Sequence, residues 1–173
     1  MQEHKLLIMR HAKSDWSADS DTDFDRPLST EGTKAAKLMG KWLKKNRFNP
    51  DRVICSPALR ASQTCQLALK ALGVAEHNVI RVAEVYDASL QDLLFIVNQH
   101  SKDIGTLLII GHNPGLDQLL CYLSKDSPSV NASGKLLTAG ALAILDYGSE
   151  AIAAKFHQAH LQRLIRPKEI CCD

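Results

Sequence analysis

The chain has 173 residues, is 45% hydrophobic, and sets 21 basic against 19 acidic side chains for a formal charge of +2. That is the size and apolar content of one globular domain spanning 1–173, with no charge excess that would single out nucleic acid or an anionic membrane as partner. No apolar run approaches the ~20 residues of a membrane span, and the first residues carry a strand pattern in place of a secretion signal, so a cytoplasmic protein is expected.

The first element is Leu6-Leu7-Ile8-Met9, which runs straight into Arg10-His11. A continuous apolar run fits a strand buried on both faces of a parallel sheet, and it puts the Arg-His pair at the strand's carboxyl end, where open α/β sheets bind ligands. Residues 15–26 then carry Asp15, Asp19, Asp21, Asp23 and Asp25. They read as a solvated loop or lid, because the glycine and terminal Glu of an EF-hand are missing. Ser29 or Thr30 can cap a helix whose apolar positions are Ala35, Ala36, Leu38, Met39, Trp42 and Leu43, with lysines largely on the other face. A short strand over 52–55 ends at Ser56-Pro57, read as N-cap and first residue of a second helix running to about Gly73. Strands follow at 79–82 and 106–110, and helices at 90–99 and 116–123. A loop covers 124–135, and closing strands at 141–147 and 156–165 flank a turn at Tyr147-Gly148-Ser149. Strands alternating with helices predict an α/β three-layer αβα sandwich with a mostly parallel mixed sheet.

One pattern occurs three times: an apolar strand, then abruptly a basic or imidazole group. It yields Arg10 with His11, then Arg60, then His112. Parallel strands would bring all four to one sheet edge, with the free N–H groups of the Arg60 helix alongside. Such a set of donors suits a phosphoryl group, whose transfer needs charge neutralisation and an in-line nucleophile.

These residues resemble the histidine phosphatase (phosphoglycerate mutase-like) superfamily, and within it the small SixA-type phosphohistidine phosphatases. The resemblance rests on Arg10-His11-Ala12-Lys13-Ser14, the 25–32 segment DRPLSTEG, the 56–64 segment SPALRASQT and the 111–116 segment GHNPGL. Ala12 stands where the superfamily usually has Gly, a feature shared by the SixA-like members. The resemblance implies a phosphoglycerate mutase-like fold, His11 as nucleophile, and Arg10, Arg60 and His112 as the phosphoryl clamp, with His112 best protonated. It implies no metal and no other cofactor, because two guanidinium groups and an imidazolium supply the charge. Glu84 lies about where larger relatives carry a general acid, and Arg26, Lys13 and Ser14 are expected to line the rim. The short connections suggest an open mouth that admits a phosphohistidine on a folded protein, such as a phosphotransfer domain, with a monomer favoured. The runner-up is hydrolysis of small phosphomonoesters in the same pocket.

Other groups are read as structural. Four residues, not the five of a cysteine phosphatase, separate Cys55 from Arg60, and the glycine-rich loop is lacking, so Cys55 reads as a buried small hydrophobe. Cys65, Cys121, Cys171 and Cys172 complete an odd, scattered set without metal-site spacing, expected as reduced thiols. His157 and His160 would fall on opposite faces of a strand, which argues against a zinc pair.

Overall fold

The computed structural model describes residues 1–170. Six strands form one sheet: β1 (His4–Arg10), β2 (Arg52–Cys55), β3 (Val79–Arg81), β4 (Thr106–Gly111), β5 (Leu142–Gly148) and β6 (His160–Ile165). Helices α1 (Thr30–Lys45), α2 (Leu59–Leu72), α3 (Leu90–His100) and α4 (Gly115–Leu123) alternate with them. The strand order is β3-β2-β4-β1-β5-β6. The first four strands are mutually parallel, while β5 and β6 run antiparallel. The mostly parallel mixed sheet and the αβα layering are as the alternating pattern predicts.

The apolar run of β1 is continuous because both faces of the sheet are covered. Leu7 and Met9 pack with Met39 and Leu43 of α1 and with Ala61, Cys65 and Leu69 of α2. Leu6 and Ile8 face the other way, against Leu93 and Val97 of α3 and Leu116, Leu119 and Leu120 of α4. All four β1 side chains are fully buried, and each contributes about 1.5–3 kcal/mol relative to exposure.

Helix α1 begins as the sequence indicates. The Ser29 hydroxyl accepts the Gly32 N–H at 3.0 Å, which satisfies one of the free donors of the first turn. Gly32 has its own reason to be there: a Cβ on it would lie 2.0 Å from the Lys13 carbonyl oxygen. The absence of a side chain lets α1 dock directly on the segment that follows β1.

Two elements differ from expectation. Helix α2 starts at Leu59 with Ala58 as N-cap, so Ser56 and Pro57 precede it. The Ser56 hydroxyl instead accepts the Ala58 N–H at 3.2 Å and meets the His112 ring, which draws it out of the capping role. The last strand starts at His160, not at 156. Residues 149–159 turn away from β5 because Ile152 buries itself in the α3/α4 core, and Phe156 packs edge-on against Tyr122 of α4. His157 consequently sits in a turn at φ 51°, stacked on Phe156, rather than in a strand with His160. Cys55 and Cys65 are buried free thiols and Cys121 an exposed one; Cys171 and Cys172 lie outside the described residues.

Candidate active site

Strands β2, β4 and β1 are neighbours at the middle of the sheet, so their carboxyl ends open side by side. Main-chain bonds extend the pairing past the strand ends: His11 N–H donates to Gly111 at 3.0 Å and Ser56 N–H to Ile110 at 3.0 Å. This fixes the starts of all three loops. A second tie runs sideways. The Ala12 N–H donates to the Thr64 hydroxyl at 3.0 Å, and that hydroxyl donates to the Arg60 carbonyl at 2.7 Å. The segment after β1 is thus locked to the first turn of α2.

His11, Arg60 and His112 meet there, with Arg10 beside them. The His11 Nδ1 lies 2.7 Å from the Ala12 carbonyl oxygen. A carbonyl can only accept, so the ring proton sits on Nδ1 and Nε2 keeps its lone pair. Arg60 Nε donates toward that Nε2 at 3.4 Å. The His11 and His112 rings lie 5.1 Å apart between centroids. The His112 Nε2 is 2.7 Å from the Ser56 hydroxyl, and Arg10 Nη1 donates to the Leu137 carbonyl at 3.0 Å. Arg10 Nε and His112 Nδ1 are buried without a protein hydrogen-bond partner. An oxyanion seated between these groups would accept from the Arg10 guanidinium where the protein does not.

The surroundings hold both imidazoles neutral. Burial is the largest cause for His11, helped by the nearby positive charges, and its pKa falls to about 3. Burial and then Arg60 bring His112 to about 4. A neutral His11 is what nucleophilic attack needs. His112 differs from the imidazolium expected of it: desolvation removes its charge, and the arrival of a phosphoryl dianion would favour restoring it.

A carboxylate that sequence reasoning did not single out completes the site. Residues 15–26 fold back over the sheet edge, and a single 3-10 turn, Asp23–Asp25, meets Arg60. Arg60 Nη1 donates to the Asp23 carbonyl at 2.7 Å and Nη2 to its Oδ2 at 3.0 Å. The Tyr86 hydroxyl also donates to Oδ2, at 2.7 Å, and Arg26 Nη1 to Oδ1 at 2.5 Å. The bond from Tyr86 is the first cause, followed by those from the arginines against some desolvation, that holds the Asp23 carboxyl at about 2. Tyr86 in turn stands edge-on to His112 and to Phe24, with ring centroids 5.4 and 5.2 Å apart.

The remaining expected residues fall in three places. Arg26 is buried; it donates from Nε to the Ser14 hydroxyl at 3.0 Å and carries the exposed Trp16 ring 3.5 Å from its Cζ. It reaches the clamp only through Asp23, and Ser14 only through Arg26. Lys13 is exposed and paired with Glu31 at 2.8 Å. It borders a depression of about 380 Å³ that it shares with Arg10, Lys135, Arg166 and Lys168. Glu84 is the correction. It lies on the turn Ala83–Val85 and is exposed, lining a separate depression with Arg81, Asp92, Phe95 and His100. A 3-10 turn rotates successive side chains by a third of a circle. Here Val85 enters the core, Tyr86 reaches the mouth and Glu84 faces away.

Comparison with known proteins identifies the family and the fold. Residues 6–95 match the family model of the histidine phosphatase superfamily (branch 1). The chain belongs to that superfamily. It is similar to phosphohistidine phosphatase SixA of Escherichia coli, with 42% identity over 121 residues, 69% of this chain and 73% of the relative. A SixA-like structure from Nakamurella multipartitia is 30% identical and superposes with a TM-score of 0.77 over 96% of this chain and 98% of that one. The structure of the protein histidine phosphatase SixA complexed with tungstate gives a TM-score of 0.77 at 23% identity, covering 95% of this chain and 97% of that one. This superfamily member is therefore a phosphatase of the mutase-like fold.

Proposed function

We propose that the protein hydrolyses phosphohistidine in proteins through a phospho-His11 intermediate. One observation carries the reading: the His11 Nδ1 proton is held by the Ala12 carbonyl at 2.7 Å, which turns an unprotonated Nε2 toward the Arg60 guanidinium. That nitrogen attacks phosphorus in line, while Arg10, Arg60 and His112 bear the charge on the equatorial oxygens. Water then releases inorganic phosphate from Nε2. No step calls for a metal or another cofactor.

The choice of phosphohistidine follows from the carboxyl groups. Glu84 faces away, Asp23 is ionised with a pKa of about 2, and the Tyr86 proton is directed at Asp23. An alkoxide leaving group needs a proton donor, and these groups offer none near neutral pH. An imidazole, with a pKa near ~6.5, needs far less help. The partner is then a folded phosphohistidine-bearing protein, such as a phosphotransfer domain, reached from the cytoplasm by a monomeric enzyme.

Cys55 offers no rival nucleophile. It is fully buried in β2, and its neighbour Cys65 together with burial pushes its thiol up, so no thiolate forms there near neutral pH.

Rapid-quench trapping without acid, using ³²P-labelled phosphohistidine, tests the proposal. Label should appear on the wild type and on Cys55→Ser and be missing from His11→Ala. Label retained by His11→Ala and lost from Cys55→Ser would overturn the mechanism. Turnover of small phosphomonoesters with none of phosphohistidine would overturn the substrate.

A further inference from the structure

We infer that Asp23 recognises the leaving group: its carboxylate accepts the ring N–H of the departing imidazole and so selects phosphohistidine over phosphate esters. The inference rests on the phosphohistidine reading above and adds the residue that enforces it.

The first support is placement. The Arg60 guanidinium lies between nucleophile and carboxylate, with its Nε edge toward His11 Nε2 at 3.4 Å and its terminal nitrogens on Asp23 at 2.7 and 3.0 Å. A group displaced in line leaves in the direction away from His11, along that guanidinium, and arrives at the carboxylate.

The second support is capacity. A carboxylate offers about four lone-pair sites. Tyr86 and Arg60 take two on Oδ2 and Arg26 takes one on Oδ1, which leaves one on Oδ1. The Asp23 side chain is 50% exposed, so that position is open to the mouth.

The third support is the sign of the charge. A carboxylate bonded to a phosphoryl clamp lowers the clamp's positive charge and works against a dianionic ester. Phosphohistidine protonated on its distal nitrogen reverses this, because its leaving ring is cationic until the P–N bond breaks. In the transfer, the His11 Nε2 lone pair forms the new N–P bond. The electrons of the old P–N bond return to the substrate ring, which departs as a neutral imidazole with its distal N–H still in place. No proton has to reach the scissile nitrogen.

The arrangement is nearly symmetrical. The product phospho-His11 is itself a phosphoimidazolium whose distal Nδ1–H is held by an oxygen, that of Ala12 at 2.7 Å. Asp23 holds the outgoing ring as Ala12 holds the incoming one. The ring faces of Phe24 and Tyr86, edge-on to each other beside Asp23, give the departing ring an aromatic wall.

The test uses Asp23→Asn, which keeps an acceptor oxygen of the same shape and removes the charge, against two probes. One is free phosphohistidine. The other is para-nitrophenyl phosphate, whose phenolate leaves without a proton. Loss of a charge-assisted hydrogen bond predicts a fall in kcat/KM of about ten- to hundredfold for phosphohistidine. Because Asp23 also holds Arg60, the ester should lose activity too. The loss on phosphohistidine should exceed the loss on the ester by about tenfold or more, and Asp23→Glu should narrow that difference. Equal losses on both probes would show that Asp23 only positions Arg60, and would overturn the inference while leaving the phosphohistidine reading intact. A wild type that hydrolyses the ester and not phosphohistidine would overturn both.

Discussion

The Thr64 hydroxyl sits between the Ala12 N–H, which donates to it at 3.0 Å, and the Arg60 carbonyl, to which it donates at 2.7 Å. The residue whose carbonyl orients His11, the proposed nucleophile, is therefore fastened to Arg60 of the proposed phosphoryl clamp. Thr64→Val leaves the buried Ala12 N–H without an acceptor, at a cost of about 1–3 kcal/mol. For a chain of this size, Tm should fall by about 2–4 °C per kcal/mol. Thermal unfolding should show that loss for Thr64→Val and near wild-type stability for Thr64→Ser.

Arg60 uses three nitrogens at once, Nε toward His11 and both terminal ones on Asp23. A lysine ammonium is a point charge on a flexible stem and cannot hold two edges. Arg60→Lys should lower kcat/KM on either probe by about a hundredfold or more. Steady-state kinetics retaining a tenth or more of wild-type activity would contradict the bidentate role.

Glu84 is the opposite case. It is exposed and lines a depression with Asp92, Phe95 and His100, apart from the clamp. Glu84→Gln should leave kcat and kcat/KM within about twofold of wild type, as an exposed substitution does. A bell-shaped pH profile that loses one limb in Glu84→Gln would show it acting as an acid after all.

The buried imidazoles link stability to pH. His11 at about 3 and His112 at about 4 lie below the ordinary histidine value of 6.5, so between those values the unfolded chain binds more protons than the folded one. Stability from these groups is complete above about pH 6.5 and is lost as pH falls toward 4 and then 3. Asp23, depressed from 3.8 to about 2, adds loss of the same sign at lower pH. Denaturation midpoints should fall from pH 7 to pH 4, less steeply in His112→Gln. Inorganic phosphate should counter the fall by favouring protonated His112 in the folded state. A midpoint that rises on acidification would refute this assignment.

The framework of the site was legible because its signals are local. Burial on both sheet faces leaves β1 and β4 as unbroken apolar runs, so Arg10, His11 and His112 mark where those runs stop. Ser29 and Gly32 announce α1 within four residues of sequence. Asp23 was not legible as a site residue. It is one of five aspartates in a polar loop, and it is set apart only by meeting Arg60 and Tyr86, 37 and 63 residues further along the chain. The direction of Glu84 was not legible for a related reason, since a position just after a strand does not say which side a 3-10 turn presents. The strand expected from 156 failed because Ile152 and Phe156 had better apolar partners on α3 and α4 than in the sheet.

The antiparallel return of β5 gives the molecule a working end and a handle. Met9 pairs with Leu142 beside the site, whereas His4 pairs with Gly148 at the far end of the same strands. The N-terminus and the connection 149–159 therefore sit about 20 Å from His11, the rise of a seven-residue strand. A surface linkage, a label or a fused module attached there leaves the mouth unobstructed, so the enzyme can be tethered by one end while the other stays open to solvent.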